Sequence, residues 1–236
     1  MTETSAGSFV QFLDEHSSGN CGGPVANVKY KLRSIPEMGY DAQGTPPRGE
    51  ILVAGSSVMP GYFCNPDKTS EMMPDGKWLL TGDVAEVLPN GSIKIVDRAK
   101  NIFKLSQGEY IAPEKLENVF IQSSWIDQVW VHGDSLHDFV ILFAVLNPQE
   151  VQAKWGDKPD LKDSKHIGEV MKSVYELANH NKFNSLEKPK QFFLTMDPFS
   201  VENDMLTPTM KLKRNIAAKK FVDEIKALYD AGPFKQ

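Results

Sequence analysis

Four short stretches carry residue types that could do chemistry. Thr81-Gly82-Asp83 sets an aspartate beside a glycine that permits a sharp turn just before a hairpin. A carboxylate fixed there can accept hydrogen bonds from both hydroxyls of a vicinal diol, as a ribose would require. For this tripeptide alone, an aspartate capping a turn is the better account. The segment "DRAKNIFKLSQGEYIAPEKLE", Asp97 to Glu117, gathers Arg98, Lys100 and Lys104 at the end of a strand and then bares the backbone at Gly108. A solvated loop joining two domains would look much the same. "LTPTMKLKR", Leu206 to Arg214, uses Thr and Pro to restrict a loop that presents Lys211. That ammonium could carry a point charge into a phosphate site. The alternative is a basic helix start, which opposes the helix dipole. At the beginning, Thr2 could contact a phosphate and Glu3 could supply an oxygen to magnesium, a hard cation. In a frayed tail they would do neither.

Other chemistries find no support. His16, His132, His137, His166 and His180 are scattered, without a nucleophile or second ligand at a telling spacing, and read as structural or surface residues. Neither GxxxxGK[ST] nor GxGxxG occurs. Cys21 and Cys64 lie in unrelated contexts, which suits a reducing compartment. A net charge of -5 argues against a general polyanion binder, so no nucleic-acid partner is expected. The most apolar run, "FVILFAVL" from Phe139, is far too short to cross a bilayer and fits a buried strand.

These residues need elements to hold them. "VKYKL" from Val28 alternates apolar and basic residues, and "GEILVAG" from Gly49 reads as a more buried strand. "VAEVL" and "SIKIV" flank Pro89-Asn90-Gly91, a hairpin in which Asn-Gly supplies the positive φ angles. Residues 25–97 thus read as a small antiparallel sheet without a helix. Beyond them, "NIFKL" and "EYI" are short strands, and "APEKLENVFIQS" is a helix opened by proline. "DQVWVHG", "DFVILFAVL" and "QFFLTM" are strands. "NPQEVQAKWG" is a helix behind an Asn cap. "HIGEVMKSVYELANHN" is an amphipathic helix, and "NIAAKKFVDEIKALYD" is one closing helix with Phe221, Val222, Ile225 and Leu228 inward. The expected class is α+β: a small antiparallel β subdomain over residues 1–97, a joint at 98–100, and a compact α+β domain over 101–236.

Taken together, the motifs resemble those of AMP-forming acyl-CoA synthetases, within the adenylate-forming superfamily. "GKWLLTGDVAEVLPNGSIKIVDRAKNIFKLSQGEYIAPEKLE" is similar to the signature of the long-chain fatty acyl-CoA synthetases. "GEILVAGSSVMPGYFCNPDKT" and "LTPTMKLKR" resemble the motifs before and after it. The resemblance implies ATP, magnesium and coenzyme A, with a long-chain fatty acid as substrate. It implies that Asp83 binds the ribose hydroxyls, Arg98 the same nucleotide, and that Lys100 is the hinge of a mobile carboxy-terminal domain (101–236). Lys104 and Gly108 would form the thioesterification face, with Gly108 on a strand facing the pantetheine. Lys211 would bridge carboxylate and α-phosphate, and Thr2 and Glu3 would end a "YGxTE" motif at phosphate and magnesium. An intracellular site is expected, in the cytoplasm or on the cytoplasmic face of an organelle membrane, with peripheral attachment left to segments upstream.

The family's phosphate loop, adenine pocket and acyl tunnel have no counterpart in this sequence. The expectation is therefore a carboxy-terminal fragment whose large AMP-binding domain (1–97) is incomplete. The alternatives are a non-catalytic nucleotide- or CoA-binding module, and another acid–CoA ligase of the superfamily, acting on a medium-chain or aryl acid.

Overall fold

The computed structural model describes residues 1–13 and 18–234; His16 lies outside them. The chain divides into two compact units, Met1–Asn101 and Ile102–Gln236.

In the first unit, β1 (Phe9–Val10) pairs antiparallel with β2 (Gly23–Pro24). The main sheet runs β3 (Val28–Arg33), β4 (Arg48–Gly55), β5 (Leu79–Val87), β6 (Ile93–Arg98), each antiparallel to its neighbour. Val28, Ile51, Val53, Leu79, Ala85 and Ile93 form its core. Strand alternation puts these side chains on one face, so a slip of one residue would expose them. The unit also contains a helix that apolar periodicity does not announce, α1 (Pro66–Met72). Asn65 caps it by accepting the Lys68 N–H at 3.0 Å, and Pro66 stands at its start, where no N–H is needed. None of its residues is buried, which is why a search for a 3.6-residue apolar stripe passes over it.

The second unit begins with a two-stranded ribbon, β7 (Phe103–Lys104) and β8 (Tyr110–Ile111). Then come α2 (Pro113–Phe120), β9 (Ile126–His132), β10 (Ile141–Leu146), α3 (Pro148–Trp155), α4 (Ser164–His180) and β11 (Gln191–Thr195). The sheet order is β11-β10-β9, parallel between β10 and β11 and antiparallel between β10 and β9. Every residue of β10 is buried. Leu142, Ala144 and Leu146 join the core with Leu116 and Phe120 of α2 and with Val170 and Val174 of α4. Ile141, Phe143 and Val145 face the other core, with Trp130, Phe199 and Met205. A strand covered on both faces needs an unbroken apolar run, and "FVILFAVL" is that run.

The expected single closing helix is two, α5 (Arg214–Lys220) and α6 (Val222–Asp230), broken at Phe221 with φ -104° and ψ 26°. The break lets the Phe221 ring reach Trp130, Phe143, Phe193 and Phe199 at centroid distances of 5.3–6.4 Å. It also turns Val222 outward, 58% exposed, contrary to its expected inward place. Packing of one large aromatic, roughly 1.5–3 kcal/mol, outweighs one interrupted turn of helix.

Candidate functional site

In the first unit, Asp83 and Arg98 face each other on neighbouring strands. They are register partners on β5 and β6, and Arg98 Nε donates to Asp83 Oδ1 at 2.9 Å. The tripeptide Thr81-Gly82-Asp83 lies within β5 rather than ahead of the hairpin, and Gly82 takes φ +72° there. That left-handed backbone kinks the strand, and three further bonds fix it. Thr81 Oγ1 donates to Ile51 O at 2.6 Å, Asp83 N–H donates to Thr81 Oγ1 at 3.1 Å, and Gly82 N–H donates to Glu50 Oε1 at 3.2 Å. Glu50 is held in turn by Arg33. No local pattern announces Glu50's part, because it sits on the neighbouring strand, more than thirty residues earlier.

A cleft of about 440 Å³ opens beside this kink. Glu3, Tyr62, Thr81, Gly82, Arg98 and Lys100 line it, so three of the expected residues share one wall. Thr2 and Glu3 form a single 3-10 turn with Thr4 rather than a frayed tail, and the Glu3 carbonyl accepts the Met59 N–H at 2.8 Å. Tyr62 donates its hydroxyl to Glu3 Oε1 at 3.1 Å. Burial and the neighbouring Glu3 carboxylate both push the Tyr62 pKa up, so the hydroxyl stays a donor. Among the described residues no group of three or more His, Cys, Asp or Glu side chains could hold a metal. A magnesium ion at Glu3 would thus depend on one carboxylate and on oxygens of a bound phosphate, a donor set that suits it.

In the second unit, Gly108 stands in the turn between β7 and β8, not on a strand as expected. It adopts φ +98°, and its N–H closes the turn on Leu105 O at 2.9 Å. A Cβ there would meet only Lys104 Cε, at 3.8 Å. Lys104 itself lies over the Tyr110 ring, 5.4 Å from its centroid. Backbone conformation therefore already requires glycine at 108, whatever passes over it.

Lys211 lies at the end of a tight loop. Leu206 and Leu212 pair at its base, Thr207 N–H donates to Lys211 O at 2.8 Å, and Lys211 N–H donates to Thr207 Oγ1 at 3.0 Å. The Lys211 side chain is exposed, and among the described residues no carboxylate pairs with it. Its basic neighbours are neutralised: Lys213 Nζ meets Asp204 Oδ1 at 2.5 Å, and Arg214 grips Glu117 with both nitrogens, at 2.8 and 2.5 Å. A basic start to α5 is tolerated because that charge is spent on α2, not left to face the helix dipole.

Two histidines also gather around Asp134. His137 Nδ1 lies 2.8 Å from Asp134 Oδ1 and its ring stacks on Tyr229, while His132 Nε2 lies 3.9 Å from Asp134 Oδ2. Burial lowers the His132 pKa more than Asp134 raises it. His166 stacks on Trp155, and the gathering of His132 and His137 on Asp134 is not visible as a spacing pattern in the sequence.

Residues 1–63 match the AMP-binding enzyme family. Long chain acyl-CoA synthetase 5 of Arabidopsis thaliana is 42% identical, over 97% of this chain and 35% of its own length. Long-chain-fatty-acid–CoA ligase 5 of Rattus norvegicus is 41% identical, over 98% and 34%. The chain thus spans about a third of the length of the curated relatives it matches. Among solved structures, the A domain of carboxylic acid reductase from Segniliparus rugosus, in complex with AMP and a co-purified carboxylic acid, superimposes with a TM-score of 0.80 at 32% identity. That match covers 89% of this chain and 33% of the other. An O-succinylbenzoate coenzyme A synthetase of Bacillus subtilis, crystallised with ATP and a magnesium ion, shares the fold at 21% identity and TM-score 0.66, over 91% of this chain and 39% of its own. Residues 1–63 are thus similar to AMP-binding enzymes, and nearly the whole chain is similar to about a third of the length of long-chain acyl-CoA synthetases.

Proposed function

We propose that this chain carries part of the machinery of an ATP-dependent fatty acid–CoA ligase. The observation that carries the reading is the shared wall of Glu3, Arg98 and Lys100 beside the Asp83–Arg98 pair. Asp83 does not line that wall but is tied to it through Arg98, within a chain about 40% identical to long-chain acyl-CoA synthetases, which supports reading the wall as a nucleotide site.

In the first half-reaction a carboxylate oxygen of the fatty acid attacks the α-phosphorus of ATP and pyrophosphate leaves. Asp83 accepts from the ribose hydroxyls, and Arg98 both orients Asp83 and faces the nucleotide. Thr2 donates to phosphate. Glu3, oriented by the Tyr62 hydroxyl, would hold magnesium, which would supply charge neutralisation for the phosphates. Lys211 brings its ammonium to the carboxylate and α-phosphate, where charge grows as the transition state forms. In the second half-reaction the coenzyme A sulfur attacks the carbonyl carbon and AMP leaves. Gly108 and Lys104 line the path of the thiol, and Lys100 is the residue whose dihedrals change between the two steps.

The test is turnover by the full-length protein with palmitate, magnesium-ATP and coenzyme A. Palmitate-dependent pyrophosphate release followed by coenzyme A-dependent AMP release supports the reading. AMP binding without pyrophosphate release would instead favour a non-catalytic nucleotide-binding module. Turnover restricted to medium-chain or aryl acids would move the assignment to another acid–CoA ligase.

A further inference from the structure

We infer that Glu117 is a positioning residue for Lys211, acting through Arg214. The inference rests on the reading of Lys211 given above. Glu117 on α2 and Arg214 at the start of α5 are 97 residues apart, yet they form a two-pronged ion pair within the second unit. Their side chains are only 13% and 21% exposed. Glu117 Oε1 also accepts the Val131 N–H from β9 at 2.8 Å, so the carboxylate is tied to a rigid strand as well as to Arg214. Arg214 is three residues beyond Lys211, and the intervening backbone is held: Lys213 N–H donates to Met205 O at 2.8 Å. The Lys211 loop therefore stands on two supports, the Leu206–Leu212 pairing at its base and the Glu117–Arg214 pair behind it.

A solvent-facing pair of this kind would contribute little, whereas a shielded, two-pronged one fixes both distance and orientation. Weakening the pair takes the two-pronged grip off the start of α5, which then shifts and carries the loop with it. The long Lys211 side chain is otherwise unrestrained, which makes the backbone beneath it the one means by which the fold can aim it.

Glu117→Gln is the informative variant, because the amide oxygen keeps the Val131 bond while the charge is lost. In the full-length protein we expect it to slow adenylation, read as pyrophosphate release, by about 10- to 100-fold in kcat. The KM for ATP should stay within about threefold, and thioester formation from preformed acyl-adenylate and coenzyme A within about twofold. Combining it with Lys211→Ala should add nothing beyond Lys211→Ala alone. Glu117→Asp should recover part of the loss. Hydrogen exchange at the Thr207 and Lys211 amides should quicken in Glu117→Gln, while β10 stays protected. Equal losses in both half-reactions, or an additive double variant, would assign Glu117 a general structural role and overturn the proposal. So would unchanged adenylation in Glu117→Gln when Lys211→Ala is impaired. Unchanged adenylation in Lys211→Ala would instead remove the reading of Lys211 on which the proposal depends. Should Glu117→Gln fail to fold, Arg214→Lys, with one prong kept, is read by the same split.

Discussion

Asp83 and Arg98, fifteen positions apart in sequence, are register partners on antiparallel strands, joined by an ion pair of 2.9 Å. Each alone is an ordinary charged residue. Together, on a strand kinked by Gly82, they form a preset acceptor and cation. Their side chains are 24% and 37% exposed, so the pair contributes only about 0–1 kcal/mol to stability. Asp83→Asn should therefore melt near the wild type while AMP affinity, measured by calorimetry, falls about 10- to 100-fold. That range corresponds to the ~1.5–3 kcal/mol of hydrogen bonds to a charged group. Unchanged AMP affinity would remove Asp83 from nucleotide binding.

Gly108 separates backbone strain from a role in catalysis. Gly108→Ala places a Cβ at φ +98° and should cost about 1–2 kcal/mol of stability. Gly39 has the left-handed φ +71° with nothing within 4 Å of a Cβ, so Gly39→Ala is the control. The account predicts similar destabilisation in both, with the coenzyme A-dependent step slowed only in Gly108→Ala. Equal rates in the two variants would leave Gly108 a turn residue and nothing more.

His132 sets the direction of an acid response. Burial lowers its pKa in the folded state below the usual value of about 6.5, so below that value the unfolded chain binds the additional proton. Unfolding free energy should be level above pH ~6.5 and decline as the pH falls from there toward the lowered pKa. In His132→Gln that part of the decline should flatten, as seen in urea titrations between pH 7 and 5. An unchanged slope would mean that another group governs it.

Two helices with the same opening show what the sequence could and could not reveal. Asn147-Pro148 announces α3 and Asn65-Pro66 announces α1, each with the Asn side chain accepting from the first turn. The Asn-Pro opening alone identifies α3, which buries Val151; α1 has the same opening but buries nothing, and lies in a stretch otherwise patterned as strands and turns. Asn65→Ala should thus cost about 1 kcal/mol in the first unit despite touching no core, as a melting curve would show. β10 was legible for the opposite reason, since burial on both faces leaves no room for polar residues. Of the proposed site, Asp83, Arg98 and Lys211 stand out in the sequence because each sits in a compact local motif. Glu50, Tyr62 and Glu117 do not, since each reaches its partner across dozens of residues and no local pattern encodes that distance.

The most direct test concerns Lys211, which is exposed and which no described carboxylate neutralises. Its ammonium is assigned to one half-reaction only. In the full-length protein, Lys211→Ala should retain the wild-type melting temperature and lower fatty acid-dependent pyrophosphate release by about 100-fold or more, the ~3 kcal/mol expected of one well-placed charge. Thioester formation from preformed acyl-adenylate should stay within about twofold. Undiminished pyrophosphate release in Lys211→Ala would contradict the account.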